Sequence, residues 1–327
     1  MTLRDRPLIS VIVPTLNRPV ELRMCLDGFA RQTASNDRFE VIVVDDGSEV
    51  DLASVAAEFD DDLTVVLERR EHAGLAAARN AGIDLARAPL LVLYDDDLRP
   101  VPELVDYCLD FHQRHPSEED AALLYFVPGD GVVNSALTQW AYRELYMFPD
   151  PGVHAWTMLW GGSTTCKASV FRHCRFDPAY LSVEDAELAA RLSRFVDVHV
   201  HFETRVMGTM TRKVTLPQIY RREFFRGYFH YVLGHKPSPL WSFQHPPYEN
   251  PASYIIHDQP GLRALLASAD ALEQRNTAGM DRLLGALCNR LDLHAKAAGW
   301  IAASEGRPPI VNLPEHAKAD NGGGVLG

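Results

Sequence analysis

The chain has 327 residues, of which 46% are hydrophobic, so it can bury the core of one large α/β domain with an appendage or of two domains. Its formal net charge of -12 argues against nucleic-acid binding, which needs clustered lysine and arginine. Five scattered cysteines indicate neither a disulfide framework nor a zinc site, and with no signal peptide or long apolar run we expect a cytoplasmic protein without a transmembrane segment.

Short apolar runs alternate with helical periodicity through the first 120 residues. The runs 8–13, 39–44, 63–67 and 90–94 are typical of buried strands, and the residues after each run show the spacing of an amphipathic helix. Strands separated by helices at this interval predict a parallel, Rossmann-like sheet with right-handed crossovers. No Gly-x-Gly-x-x-Gly motif follows the first strand, which disfavours a dinucleotide-dependent dehydrogenase.

Polar residues follow three of these strands at the edge where open α/β sheets bind ligands. They are Pro14–Pro19 after the first strand, Asp45–Ser48 after the second and Asp95–Asp97 after the fourth. Adjacent carboxylates repel one another unless a cation lies among them, and their oxygens suit Mg²⁺ or Mn²⁺ bridging to a phosphate. The alternative is a solvated acidic turn that caps the helix beginning near Pro102.

The simple alternation ends after a fifth predicted strand at 121–127. Beyond it, Trp160, Gly161 and Gly162 form a short motif in which paired glycines let the backbone approach a ligand and an indole can stack on a sugar ring. An ordinary core tryptophan beside a turn would give the same pattern.

Helical periodicity returns after residue 181, where acidic residues in a first helical turn usually serve the helix dipole. Alternation over 198–202 predicts a strand with one wet face, which makes His199 and His201 surface residues rather than metal ligands. The stretch 216–233 predicts a helix that carries both aromatic and basic residues.

The C-terminal third is predicted to pack rather than to react. A proline-rich segment at 237–251 is typical of a linker or an ordered loop. Leucines at helical spacing over 262–272 and 283–291 predict two amphipathic helices, which are candidates for packing or for a homodimer contact. The stretch 311–327 is predicted to be a frayed tail.

Four motifs over residues 8–235 carry a family resemblance. In chain order they are Val13-Pro14-Thr15-x-Asn17-Arg18, Val43-Val44-Asp45-Asp46-Gly47-Ser48, Gly74-x-x-x-Ala78-Arg79-Asn80-x-Gly82 and Asp95-x-Asp97. In this order and spacing they resemble the family 2 glycosyltransferases of the GT-A fold.

The resemblance implies an α/β fold, with a Rossmann-like GT-A sheet, flanking helices and a C-terminal helical appendage. It divides the chain into a nucleotide-sugar-binding half at 1–120, an acceptor-binding half at 121–235, and a linker, appendage and tail at 236–327. It also implies transfer of a sugar from a nucleotide sugar, with UDP favoured, to an acceptor hydroxyl with inversion at the anomeric carbon.

Site roles follow from the same resemblance. Asp97 is expected to bind Mn²⁺ or Mg²⁺ directly, while Asp95 contacts the metal or the ribose. The donor-binding set is Pro14, Thr15, Asn17, Arg18, Asp45, Asp46, Arg79, Asp95 and Asp96.

The second half carries the acceptor side in this resemblance. Trp160, Gly161 and Gly162 would contact the acceptor, Asp185 would be the catalytic base and Glu184 the reserve. The acceptor stays open among a small molecule, a growing glycan, a lipid-linked sugar and a protein, so peripheral attachment to the inner membrane surface stays open too.

One departure concerns a histidine that many relatives carry near this metal. Met210 occupies the expected position. Three alternatives remain open: His199 or His201 substitutes, Arg212 and Lys213 bind the diphosphate directly, or the metal is held less tightly.

Two other functions compete with this interpretation. A sugar nucleotidyltransferase also joins a Rossmann-like half to acidic ligands, but the loop after the first strand lacks the glycines such an enzyme would need. A catalytically weak nucleotide-sugar-binding protein is the other, and the presence of Asp97 and Asp185 argues against it.

Overall fold

A computed structural model describes residues 6–132, 135–145, 148–155, 158–234, 248–257, 259–275 and 281–311. The linker predicted at 237–251 lies outside the described residues except for its last four positions, and the predicted tail lies outside them except for residue 311.

Within the described residues, nine strands form one mixed sheet with helices between them, so the α/β prediction is confirmed. The strands are β1 (Ile9–Thr15), β2 (Phe39–Asp45), β3 (Val65–Arg69), β4 (Leu90–Tyr94), β5 (Leu98–Pro100), β6 (Asp120–Pro128), β7 (Gly152–His154), β8 (Ser163–Lys167) and β9 (His199–Met210). The helices are α1 (Pro19–Ala30), α2 (Ala53–Ala57), α3 (Leu75–Leu85), α4 (Leu104–Arg114), α5 (Ala136–Leu145), α6 (Glu184–Leu192), α7 (Leu216–Gly234), α8 (Gln259–Arg275) and α9 (Asp281–Ser304).

The first four long strands pair in parallel in the order β3-β2-β1-β4, as the alternation of strands and helices predicts. Every residue of β1 and β2 is buried. At the centre of this half, Ile12 lies beside Ile42 on one side and Leu93 on the other. Strands covered on both faces need apolar side chains at every position, which is why these strands are continuous apolar runs in the sequence.

The second half of the sheet is not purely parallel, and here the parallel prediction is incomplete. β8 lies between β4 and β6 and runs antiparallel to both. Its sequence, Ser163–Lys167, has no apolar run because its buried hydroxyl groups are hydrogen-bonded instead. Thr165 Oγ1 donates to the carbonyl oxygen of Leu91 at 3.0 Å and lies 2.9 Å from Nε2 of His112. β5 and β7 have three residues each, too few to show a period.

The chain divides into two compact units. The sheet, α1–α4 and α6 belong to the first, and α5 and α7–α9 belong to the second. The first comprises 1–129, 148–180 and 184–212, and the second 130–147, 181–183 and 213–327. Our division at residues 120 and 235 stays a prediction.

In the second unit, α7 packs closely along α9 because glycines face the partner helix. A Cβ on Gly227 would overlap the backbone of Lys296, and one on Gly299 would overlap the backbone of Phe224. The last helix, α9, therefore packs within the chain against α7, and a homodimer contact through the C-terminal helices stays a prediction. Among the described residues, no helix combines the length and apolar character that crossing a membrane requires.

Candidate active site

Three consecutive carboxylates, Asp95–Asp97, follow β4 at the carboxyl edge of the parallel half of the sheet. Each of them is paired with a different arginine. Arg79 Nη2 lies 3.2 Å from Asp95 Oδ1, Arg18 Nη1 lies 2.6 Å from Asp96 Oδ1, and Arg212 Nε lies 3.2 Å from Asp97 Oδ2. Three guanidinium groups of the chain itself therefore balance the charge of this acidic triplet.

The three carboxylates differ in burial and in the direction in which their pKa values are shifted. The side chains of Asp95 and Asp97 are 32% and 21% exposed, whereas that of Asp96 is 1% exposed. Burial raises the pKa of Asp96 to about 6, with Arg18 opposing the rise. Burial would also raise the pKa of Asp97, but Arg212 and Arg18 outweigh it and lower that pKa. Asp95 and Asp97 thus offer accessible carboxylate oxygens, whereas the carboxylate of Asp96 is buried and paired with Arg18.

These donors fit a hard divalent cation. Carboxylate oxygens are the ligands that Mg²⁺ and Mn²⁺ prefer, and a carboxylate with a lowered pKa is already ionised for coordination. Of the triplet, Asp97 and Asp95 have accessible oxygens, which agrees with their expected roles. Those roles stay predictions.

Two loops at the same edge are tied together through Asn17. Its backbone N–H donates to Ser48 Oγ at 2.8 Å, and its Oδ1 accepts from the backbone N–H of Glu49 at 2.7 Å. Asn17 has a φ of +56°, a conformation that asparagine tolerates better than most residues. Asp45 Oδ1 accepts from the backbone N–H of Ser48 at 2.8 Å. The loops after β1 and β2 therefore form one rigid surface.

Asp46 anchors the segment that leads into α3. Its two carboxylate oxygens accept from the backbone N–H groups of Ala73 and Gly74 at 3.0 and 2.8 Å. His72 Nδ1 lies 2.8 Å from Asp46 Oδ2, and the His72 side chain is 49% exposed. The sequence patterns did not single out His72. The available signal was its position just before the Gly74 motif, at the edge where the other polar loops lie.

Arg79 joins the acidic triplet to the first turn of α6. Its side chain is 3% exposed, and its Nη1 donates to Glu184 Oε1 at 2.5 Å while Nη2 donates to Asp95. Its guanidinium carbon lies 5.5 Å from the ring centroid of Phe176. Burial raises the pKa of Glu184, its neighbour Asp185 adds to the rise, and Arg79 opposes it.

Asp185 lies in the same first turn, partly buried and fixed by two backbone groups. Its Oδ2 accepts from the N–H of Gly161 at 3.2 Å, and its Oδ1 accepts from the N–H of Ala186 at 2.7 Å. The carbonyl oxygen of Gly162, the next residue after Gly161, accepts from the N–H of Asp95 at 3.0 Å. The glycine pair thus connects Asp185 to the acidic triplet, and the amino-terminal end of α6 favours negative charge there.

Side chains at the two glycines would disturb this arrangement. A Cβ on Gly161 would overlap the guanidinium of Arg79, and a Cβ on Gly162 would overlap the carboxylate of Asp95. Trp160, just before them, is partly buried and packs against Phe148 with ring centroids 4.9 Å apart. Contact of Trp160, Gly161 and Gly162 with an acceptor stays a prediction.

Met210 ends β9 and is buried, and the two histidine alternatives lie at the other end of that strand. His201 and Met210 are nine residues apart, but β9 has bulges, and the two residues pair with Ala122 and Pro128 of β6, which are six residues and about 20 Å apart. His199 is two residues farther away. Arg212 contacts Asp97, and the three alternatives for the missing histidine stay predictions.

Two of the curated relatives show how far the sequence similarity extends. A validoxylamine A glucosyltransferase of Streptomyces hygroscopicus is 40% identical over 108 residues, 32% of this chain and 24% of the relative. A PGL/p-HBAD biosynthesis glycosyltransferase of Mycobacterium bovis is 33% identical over 138 residues, 41% of this chain and 50% of the relative. The aligned parts span half of these relatives' length or less.

Solved structures share the fold over most of the chain. A mannosyltransferase from Pyrobaculum calidifontis matches with a TM-score of 0.58 and 18% identity, over 93% of this chain and 88% of that one. TarS from S. aureus matches with a TM-score of 0.53 and 16% identity, over 91% and 92%. The model of the family described as Glycosyl transferase family 2 matches residues 10–171. The chain belongs to glycosyl transferase family 2, and its sheet has the GT-A fold.

Proposed function

We propose that this protein moves a sugar from a nucleotide sugar to an acceptor hydroxyl, with Mn²⁺ or Mg²⁺ as cofactor and with inversion at the anomeric carbon. The observation that carries the proposal is the connection of two kinds of carboxylate at one sheet edge. Asp97 and Asp95 have accessible oxygens, and Asp185 is linked to them through Gly161 and Gly162. A glycosyltransferase needs one group to neutralise a departing diphosphate and another to accept a proton.

The position of each residue in the site determines the role that we propose for it. Asp185 would take the proton of the acceptor hydroxyl as its oxygen attacks the anomeric carbon from the side opposite the leaving nucleotide. Arg212 and Arg18 would hold diphosphate oxygens, since both guanidinium groups lie beside Asp97, at 3.2 and 3.8 Å. A divalent cation bound by Asp97 and Asp95 would supply charge neutralisation for the leaving diphosphate.

The donor nucleotide is proposed to be UDP. TarS has been solved in complex with UDP, and the mannosyltransferase in complex with GDP-Man and Mn²⁺. The loops that carry Asn17, Asp45, Asp46 and His72 form the surface that would receive the base and ribose. Donor panels must therefore include both UDP-sugars and GDP-sugars.

The first test measures donor binding and slow donor hydrolysis with Mn²⁺ present. We expect the wild type to bind one nucleotide sugar and hydrolyse it, and we expect Asp97→Ala to lose at least about tenfold in donor affinity, because a charge-assisted contact is worth about 1.5–3 kcal/mol. The matched control is Asp110→Ala, since Asp110 is 63% exposed and pairs with Arg114, itself 48% exposed. If no nucleotide sugar binds detectably with metal present, the proposed function is wrong.

A second prediction concerns the close approach at Gly162. In Gly162→Ala the new methyl group must displace the Asp95 carboxylate, and a shift of about 1 Å in such a group costs on the order of 10²-fold in rate. Donor hydrolysis and thermal unfolding should be measured together. The control is Gly131→Ala, because a Cβ there meets nothing within 4 Å. Full activity in Gly162→Ala would contradict the placement of Asp95 in the site.

A further inference from the structure

A second group of metal-ligating side chains lies outside the site described above. His115 is the C-cap residue of α4, Asp120 is the first residue of β6, and His201 is the third residue of β9. One ligand atom from each of the three lies within 4.8 Å of the others. All three side chains are partly buried, with His201 18% and Asp120 14% exposed. We call this group the His-Asp cluster.

The His-Asp cluster is separate from the acidic triplet. His201 and Met210 lie at opposite ends of β9, and Met210 pairs with Leu98, the residue that follows Asp97. The separation along the sheet is about 20 Å, because the segment of β6 that pairs with this part of β9 is six residues long. A cation at the cluster therefore cannot reach a diphosphate held at the acidic triplet.

The rings are already held in a converging arrangement. His201 Nε2 lies 2.9 Å from Asp120 Oδ1, and the ring centroids of His115 and His201 are 4.3 Å apart. Phe111, one turn before His115 on α4, packs against both rings at 4.7 and 5.2 Å between centroids. An aromatic side chain in contact with both imidazoles limits the conformations that they sample, so part of the ordering that a bound ion requires is already present.

The spacing suits a tetrahedral ion. Bonds of about 2.0–2.1 Å to Zn²⁺ place neighbouring ligand atoms about 3.3 Å apart. The separation of 2.9 Å between His201 and Asp120 would widen slightly, and the span of up to 4.8 Å would contract by side-chain rotation.

We propose that His115, Asp120 and His201 bind Zn²⁺, with water as the fourth ligand. Two imidazole nitrogens and one carboxylate are a donor set that Zn²⁺ takes and that Mg²⁺ does not favour. Lys167 and Arg114 are positively charged side chains near His115. Lys167 Nζ donates to the backbone carbonyl of His115, and Arg114 pairs with Asp110. The ion would join the end of α4 to β6 and β9, so its role is to stabilise the acceptor-side strands.

The test is titration of the full, tag-free chain with Zn²⁺ by calorimetry and with Co²⁺ by visible absorption. We expect one strong site per chain, intense absorption typical of four-coordinate Co²⁺, and a rise in unfolding temperature with Zn²⁺. His115→Ala and His201→Ala should each weaken binding at least about tenfold. Asp120→Asn, which keeps the shape of the side chain, should weaken it without unfolding the protein.

Two controls separate this site from the rest of the molecule. His199→Ala should bind Zn²⁺ like the wild type, because His199 is 44% exposed and pairs with Asp197 instead. Asp97→Ala should also keep the strong Zn²⁺ site, since the acidic triplet is a different one. Absence of a strong site, or binding that survives both His115→Ala and His201→Ala, would overturn the proposal, and neither result would touch the proposed sugar transfer.

Discussion

Replacing Asp185 with asparagine is expected to lower the rate of sugar transfer about 10²–10⁴-fold while donor affinity stays within about twofold of the wild type. Asparagine keeps the size of the side chain, and its one carbonyl oxygen can still accept from the N–H of Gly161 or of Ala186. It cannot take a proton from an acceptor hydroxyl. An acceptor is first found in a panel of sugars, lipid-linked sugars and small hydroxylated molecules. With that acceptor and labelled donor, kcat and the donor Kd are then measured for the wild type and the variant.

Glu184→Gln is the matched variant for this experiment. Glu184 is 5% exposed and already paired with Arg79, so its carboxylate is poorly placed to meet an acceptor, and the amide can still accept from Arg79. We expect this variant to retain much more transfer than Asp185→Asn. The opposite ranking, at equal donor affinity, would move the base from Asp185 to Glu184. An α-configured product from an α-linked donor would exclude the inverting reaction.

The parallel half of the sheet and the polar residues at its carboxyl edge could be predicted, because they depend on short stretches of sequence. Buried parallel strands need continuous apolar runs, and the carboxyl ends of such strands meet at one edge, so Asp45, Asp46 and Asp95–Asp97 were expected to lie together. β8 was not predicted, because it is rich in hydroxyl side chains and the hydroxyl group of its buried Thr165 is hydrogen-bonded to residues far away in the chain. Hydrogen-bonded hydroxyls in a core leave no hydropathy signal.

The pairing of charges could not be predicted either. Arg79 and Glu184 are 105 residues apart in the chain, and Arg212 and Asp97 are 115 apart. Which arginine meets which carboxylate depends on how α3, α6 and the end of β9 pack on the sheet, and periodicity carries no information about that. Only the three-dimensional structure therefore shows which arginine pairs with which carboxylate of the acidic triplet.

Arg79→Met is expected to lower the free energy of unfolding by about 3–5 kcal/mol, since removing one partner of a buried ion pair leaves the other charge uncompensated. Two carboxylates, Glu184 and Asp95, would lose their shared counter-charge at once. Urea unfolding measures the loss. The control is Arg175→Met, because Arg175 is 40% exposed and pairs with the still more exposed Asp84, a contact worth about 0–1 kcal/mol.

A double-mutant cycle then separates the bridge from simple packing loss. Glu184→Gln keeps the hydrogen-bond acceptor but removes one of the two charges that Arg79 balances, so the double variant should be less destabilised than the sum of the single ones. Strict additivity would mean that Arg79 stabilises the fold through Asp95 and Phe176 and not through its pair with Glu184. Coupling would instead show that Arg79 fixes the acidic triplet and the first turn of α6 relative to each other. Donor affinity should then fall in Arg79→Met even under conditions in which the protein is fully folded.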